Sequence, residues 1–255
     1  MNLFQSIKSN VWAKALRRFG YSPRPRPFSE FISFEETQWA ATRAGMSVGE
    51  FLERRNIVGT KTALELTIEG MAALGVFDRR IDRICELGPG SGRYLERTMA
   101  RCEPTHYEIY ETSDEWRKWL AKKYRVIARQ SDWRTLGETE TASVDLVQAH
   151  KVFPGLPLLT TLSYFREMAR VVRDGGWIVF DVMTEQCFDA RNLQAWFDVN
   201  PWEWDWSPRM FAVQYVVDMF AGLGITAVGS FLVPLYPGVT ECLVFRRIDP
   251  AVPVI

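Results

Sequence analysis

The chain has 255 residues, 47% of them apolar and 24% charged, and its 31 basic and 31 acidic side chains cancel to a formal charge of zero. That length suits one sizeable core with embellishments, and the neutral balance excludes a globally basic nucleic-acid binder. Four cysteines without CxxC spacing and only two histidines argue against a structural zinc site and for free thiols in a reducing, cytoplasmic setting. No apolar run reaches the roughly 20 residues that a bilayer span needs. The N-terminus lacks the apolar core and small-residue cleavage site of a signal peptide.

Residues 1–20 place Leu3, Phe4, Ile7, Val11, Ala15 and Phe19 at helical spacing, with Lys8, Lys14, Arg17 and Arg18 around them. Such a helix suits packing on its own domain or on a second copy in a homodimer, and its basic face also fits peripheral contact with a membrane. The alternating prolines of YSPRPRPF then stop it. Residues 29–55 and 61–77 read as helical, which makes 1–55 an N-terminal helical extension and 56–250 the main domain. From there the pattern alternates: strand RICEL, a helix from Gly92, strand HYEIYE, helix SDEWRKWLAKKY, strand RVIAR, strand VDLVQAH, helix LPLLTTLSYFREMARVV, with a glycine stop in VVRDGG, and strand GWIVFDVM. This spacing implies crossover connections, hence an α/β fold with a mostly parallel sheet and helices on both faces. A segment around 186–210 follows, then a helix expected over 208–222. Two last strands, ITAVGSFLV and TECLVFRR, are joined by PLYPGV as an antiparallel hairpin.

The stretch ICELGPGSGRY (84–94) sets three glycines and a proline at a strand-to-helix turn, where backbone N–H groups can face a ligand. A P-loop is excluded because no Gly-Lys-Ser/Thr follows, and the dinucleotide spacing G-x-G-x-x-G also fails. The companions narrow the reading. Glu86 precedes the first glycine, and Glu111 ends the next strand, where an acid can bind ribose hydroxyls. SDW then offers Asp132 to an exocyclic amine and Trp133 to a purine face; Trp133 could equally be a core aromatic beneath a loop. The strand SVDLVQAH ends in polar residues over the same sheet edge.

This ordered series resembles the class I (Rossmann-like) S-adenosylmethionine-dependent methyltransferases, whose first motif has the form acid-x-Gly-x-Gly-x-Gly, matched here by ELGPGSG. The resemblance covers residues 57–247 and implies a seven-stranded sheet with one reversed strand, methyltransferase activity, and S-adenosyl-L-methionine as cofactor. By the same match Gly88, Pro89, Gly90 and Gly92 pass under the methionine portion, with Glu86 near its amino group. Glu111, with Thr112 beside it, would hold the ribose, Asp132 and Trp133 would flank the adenine, and Gln148 would join the cofactor contacts.

His150 ends the fourth strand at the edge where an open α/β sheet binds its ligands, and an imidazole titrates close to neutral pH, so it is the expected general base. A structural histidine bonding a loop carbonyl is the plainer alternative. Asp181, Glu185 and Asp189 follow the fifth strand and could recruit Mg²⁺, although acids after a strand are more often caps; metal is left unassigned. Trp202, Glu203, Trp204, Asp205 and Trp206 interleave aromatic faces with carboxylates, a pattern that suits a sugar and also fits strand-like core or a dimer contact. The resemblance implies an acceptor-lid insertion around 186–210; Arg191, Asn192 and Tyr236 are further lid candidates, and NIVGTKT (56–62) brings Thr60 or Lys61 toward the methyl group. The leading expectation is O-methylation of a sugar or glycan hydroxyl. The alternatives are a natural-product O- or N-methyltransferase with an aromatic acceptor and a non-catalytic cofactor-binding scaffold. A nucleic-acid methyltransferase is disfavoured, because the chain is neutral and has no [DNS]-P-P-[YFW] tetrad.

Overall fold

Two short helices lead into the sheet domain, α1 (Phe34–Arg43) and α2 (Val48–Glu53), in the computed structural model, which describes residues 33–198 and 209–248. The basic helix expected over 1–20 and Trp202 and Trp204 lie outside the described residues. Ser47 opens α2 with a capping box to Glu50; Thr62 and Glu65 do the same for α3 (Ala63–Ala73), after the small hairpin β1 (Ile57–Val58) and β2 (Lys61–Thr62). Residues from Phe34 onward form one compact unit. Phe34 packs edge-on against Trp116, with centroids 4.8 Å apart. Buried Glu53 accepts the Leu64 N–H at 3.1 Å.

The alternation then runs as expected. β3 (Arg83–Leu87), α4 (Arg93–Cys102), β4 (His106–Glu111), α5 (Asp114–Lys123) and β5 (Ile127–Gln130) form the first half. β6 (Val144–Ala149), α6 (Leu158–Val171), β7 (Val172–Thr184), α7 (Ala190–Asp198), β8 (Met210–Phe211), α8 (Val213–Ala221), β9 (Ile225–Leu235) and β10 (Gly238–Arg247) complete it. Strand order is β5-β4-β3-β6-β7-β10-β9, with β10 antiparallel to both neighbours. One reversed strand and a closing hairpin are thus present.

Three details differ from the sequence reading. The expected helix over 208–222 starts only at Val213, because Met210 and Phe211 pair in parallel with Met183 and Thr184 at the far end of β7. The segment VVRDGG is no helix stop: α6 ends at Val171, and Gly175, at φ +73°, already lies within β7. The hairpin turn is Tyr236–Pro237, tighter than the six residues expected.

Two-residue periodicity sorts the strands onto two faces. Cys85, Leu87, Val147, Ala149, Ile178 and Phe180 face one core with Phe153, Phe165, Phe220 and Phe245. Ile84, Ile109, Leu146 and Val179 face the other with Met71, Leu95 and Leu120. Glu86 pairs in register with Gln148, so polar groups share the second face at the carboxyl ends of the central strands.

Candidate active site

The three glycines of the turn are all left-handed, at φ +62°, +51° and +74° for Gly88, Gly90 and Gly92. They differ in what surrounds them. A Cβ on Gly88 would stand 2.7 Å from Val152 Cγ2, and one on Gly92 would stand 2.5 Å from Leu120 Cδ2. These two glycines let neighbours pack. At Gly90 nothing lies within 4 Å of such a Cβ, so the turn presents its backbone openly there. The loop is tied down by Gly88 N–H to Tyr110 O and Gly92 N–H to Pro89 O, both at 2.8 Å.

Glu111 reaches this open point. Its Oε2 accepts the Gly90 N–H at 2.9 Å, while Oε1 accepts the Ser113 N–H at 2.9 Å and the Thr112 hydroxyl at 3.3 Å. A carboxylate offers about four lone-pair positions, so one remains for a ligand hydroxyl, and two once the long Thr112 bond is released to a vicinal diol. Glu86 sits deeper. It is buried, it accepts the Tyr107 hydroxyl, and Gln148 Nε2 donates to that same oxygen at 3.0 Å. Burial pushes the Glu86 carboxyl up to about 7, against the relief from Tyr107 and Gln148. Gln148 is itself fully buried, its amide engaged by Thr98 and Tyr107. It supports the Tyr107–Glu86 pair from within the sheet.

Asp132 turns its carboxylate toward its own loop, accepting from Arg134 N at 2.8 Å, Thr135 N at 2.7 Å and the Thr135 hydroxyl at 2.7 Å. Trp133 adopts φ +67°, uncommon for so large a side chain, and is half-buried against the phenylalanine core. Asp132 and Trp133 therefore share the loop after β5, with both oxygens of the carboxylate already engaged locally.

At the ends of β6 and β7 the structure assembles more than the sequence suggested. His150 is 6% exposed and stacks on Tyr94, with centroids 4.5 Å apart. Burial holds its imidazole down to about 4, which corrects the expectation of titration near neutrality; His150 is neutral at pH 7. Lys151 N donates to Asp181 Oδ1 at 2.5 Å, and its ammonium stands 3.6 Å from Asp181 Oδ2. Arg93, the first residue of α4, pairs with Glu53 at 2.7 Å. Arg93 and Tyr94 directly follow the glycine motif and Lys151 follows His150, so adjacency was the signal available in the sequence; nothing local marked Glu53.

The candidate magnesium acids are engaged otherwise. Asp181 holds Lys151, Glu185 accepts the Val213 N–H at 3.0 Å, and Asp189 accepts the Asn192 N–H at 2.7 Å. Among the described residues no group of three His, Cys, Asp or Glu side chains is placed to hold a metal ion. Tyr236 meets the 56–62 segment: its N–H donates to Asn56 Oδ1 at 2.9 Å, and Arg55 lies over its ring at 5.1 Å. Lys61 instead pairs with Glu69 at 2.7 Å, Thr60 is exposed in the hairpin, and Arg191 is exposed on α7.

A sheet with a single reversed strand, a glycine turn open at Gly90 and an acid on the neighbouring strand define a Rossmann-like methyltransferase architecture. The family model of the methyltransferase domain matches residues 85–180, and the protein is a methyltransferase whose methyl donor is S-adenosyl-L-methionine. Solved structures share the fold at low identity. Magnesium protoporphyrin IX methyltransferase from Synechocystis, solved with bound SAH, is 11% identical with a TM-score of 0.60, over 86% of this chain and 96% of that one. An O-methyltransferase family protein from Burkholderia thailandensis is 16% identical with a TM-score of 0.56, over 96% and 70%. A putative sarcosine dimethylglycine methyltransferase from Galdieria sulphuraria is 13% identical with a TM-score of 0.54, over 73% and 84%. A search of the curated proteins finds no match. No described helix is long and apolar enough to cross a membrane.

Proposed function

We propose that this chain transfers a methyl group to a hydroxyl of a small acceptor, a sugar or glycan, that enters over the carboxyl ends of β6 and β7. The observation carrying this reading is the pairing of an open glycine turn at Gly90 with a buried, neutral His150 at the same sheet edge. When bound, S-adenosyl-L-methionine supplies a methyl group already activated on a sulfonium. The chain's own work is then to orient the acceptor and receive its proton.

Gly88, Gly90 and Gly92 shape the backbone for the methionine end, with Glu86 beneath it. Glu111 accepts from the ribose hydroxyls, and Asp132 and Trp133 border the adenine. A neutral imidazole can accept a proton in the transition state, yet one held at about 4 releases it readily to water. His150 thus acts as a proton relay with low affinity. The sugar assignment draws on the tryptophan–acid pattern at 202–206. Exposed Ile57, Val58 and Tyr236, brought together by the Asn56 contact, favour the second reading, an aromatic acceptor.

Calorimetry with S-adenosylhomocysteine tests the donor half: micromolar-range binding is expected, and no binding removes the reading. Transfer of labelled methyl across oligosaccharides, phenols and amines tests the acceptor half. With the acceptor in hand, His150→Ala should retain cofactor affinity and lose turnover.

A further inference from the structure

Two buried polar atoms at the carboxyl edge make no hydrogen bond, although the Lys151 ammonium stands 3.6 Å from one of them. His150 Nε2 and Asp181 Oδ2 lack a hydrogen-bond partner among the described residues. Their residues are 6% and 2% exposed. Native proteins leave few such atoms uncompensated, because each forfeits its hydration on burial.

The two belong to one cluster. Asp181 Oδ1 takes the backbone N–H of Lys151, the residue next to His150. Lys151 adopts φ +60°, a left-handed conformation costly for a residue with a Cβ. Its ammonium is pinned by the Pro234 carbonyl at 2.9 Å. The Arg93–Glu53 ion pair closes the far side, beside the Tyr94 ring that carries His150. Two acids and two cations cancel, so the cluster is neutral while the imidazole is neutral. It has no excess charge to attract an anion. What it offers is one carboxylate oxygen, which can only accept, and one imidazole nitrogen.

We propose that Asp181 and His150 form the floor of the methyl-acceptor pocket, where the group to be methylated is an O–H or N–H that donates to Asp181 Oδ2. This rests on the methyl-transfer reading above. Lys151 keeps the carboxylate in place through its N–H to Oδ1, while its ammonium, 3.6 Å from Oδ2, is too far to hydrogen-bond and leaves that oxygen able to accept. An acceptor atom without a proton would leave Oδ2 without a hydrogen bond in the complex, so Asp181 selects protic nucleophiles.

Thermal unfolding of His150→Phe decides the first half. The phenyl ring preserves the stack on Tyr94 and removes the unpaired nitrogen, so the melting temperature at pH 7.5 should rise by about 3–6 °C, with S-adenosylhomocysteine affinity within twofold of the parent. A fall in melting temperature would overturn the proposal, because the nitrogen would then be satisfied in the free protein, for instance by a buried water. A tenfold loss of S-adenosylhomocysteine affinity would also overturn it, by assigning the cluster to the cofactor. Asp181→Asn, assayed with the acceptor from the labelled-methyl screen, should raise the acceptor KM at least tenfold with cofactor affinity kept; an unchanged KM rejects the role. Failure of the unaltered protein to bind S-adenosylhomocysteine is a separate result, which removes the methyl-transfer reading itself.

Discussion

Replacing Glu86 by glutamine removes a buried charge while keeping an acceptor for Tyr107. Burial lifts this carboxyl from 4.5 to about 7, a rise of about two and a half pH units, which at about 1.4 kcal/mol per unit amounts to roughly 3 kcal/mol. Between these two pH values the folded chain holds the Glu86 proton and the unfolded chain has lost it, so the folded state binds more protons. Its stability is therefore greatest below 4.5 and declines as pH rises through about 7. Glutamine has no proton to lose. Relative to the parent, Glu86→Gln should gain up to roughly 3 kcal/mol between pH 5 and pH 9, with most of the change between pH 5 and pH 7 and little beyond. Urea unfolding followed by tryptophan fluorescence at pH 5, 7 and 9 measures this directly. A stability difference that stays flat across that range refutes the argument, since it would mean that the Glu86 carboxyl is solvated or fully compensated in the fold.

The two glycines that differ in their surroundings should separate stability from binding. Gly90→Ala pays only the left-handed strain, about 1–2 kcal/mol, yet weakens S-adenosylhomocysteine binding at least tenfold by calorimetry; Gly92→Ala also collides with Leu120 and loses more stability. Glu53→Ala strands the Arg93 guanidinium in a largely buried site and should cost about 3–5 kcal/mol in urea unfolding; a cost below about 1 kcal/mol would put the pair among solvent-screened ones. For His150, held near 4 against an ordinary 6.5, the sign is opposite to that of Glu86. The unfolded state binds the extra proton between those values, so stability should fall on acidification through that window, by up to roughly 3 kcal/mol, and His150→Phe should flatten the fall. The pH profile of kcat/KM should accordingly show no inflection near 6.5 that depends on His150.

The donor half of this protein was legible because its determinants are contiguous or strand-spaced. ELGPGSG carries its own geometry: positive φ at all three glycines follows from residue type, and alternating strands and helices compel a parallel sheet whose carboxyl edge receives Gly90 and Glu111 together. Asp132 and Gln148 show where that reasoning stops. Both stand where expected along the chain, but side-chain direction is settled by neighbours, Thr135 for one and Thr98 and Tyr107 for the other.

The proposed acceptor half rests on tertiary structure alone. Glu53, the Arg93–Tyr94 pair, the His150–Lys151 pair and Asp181 come from four separate parts of the chain, and no local pattern links those parts. Sequence supplied the chemical identity of His150; packing against Tyr94 supplied its neutrality. The physical reason is the range of each force. Backbone preference and hydrophobic period act over a few residues and can be read from the chain. Desolvation and the pairing of buried charges depend on which groups long-range folding encloses together, and here that enclosure turns six scattered residues into one site.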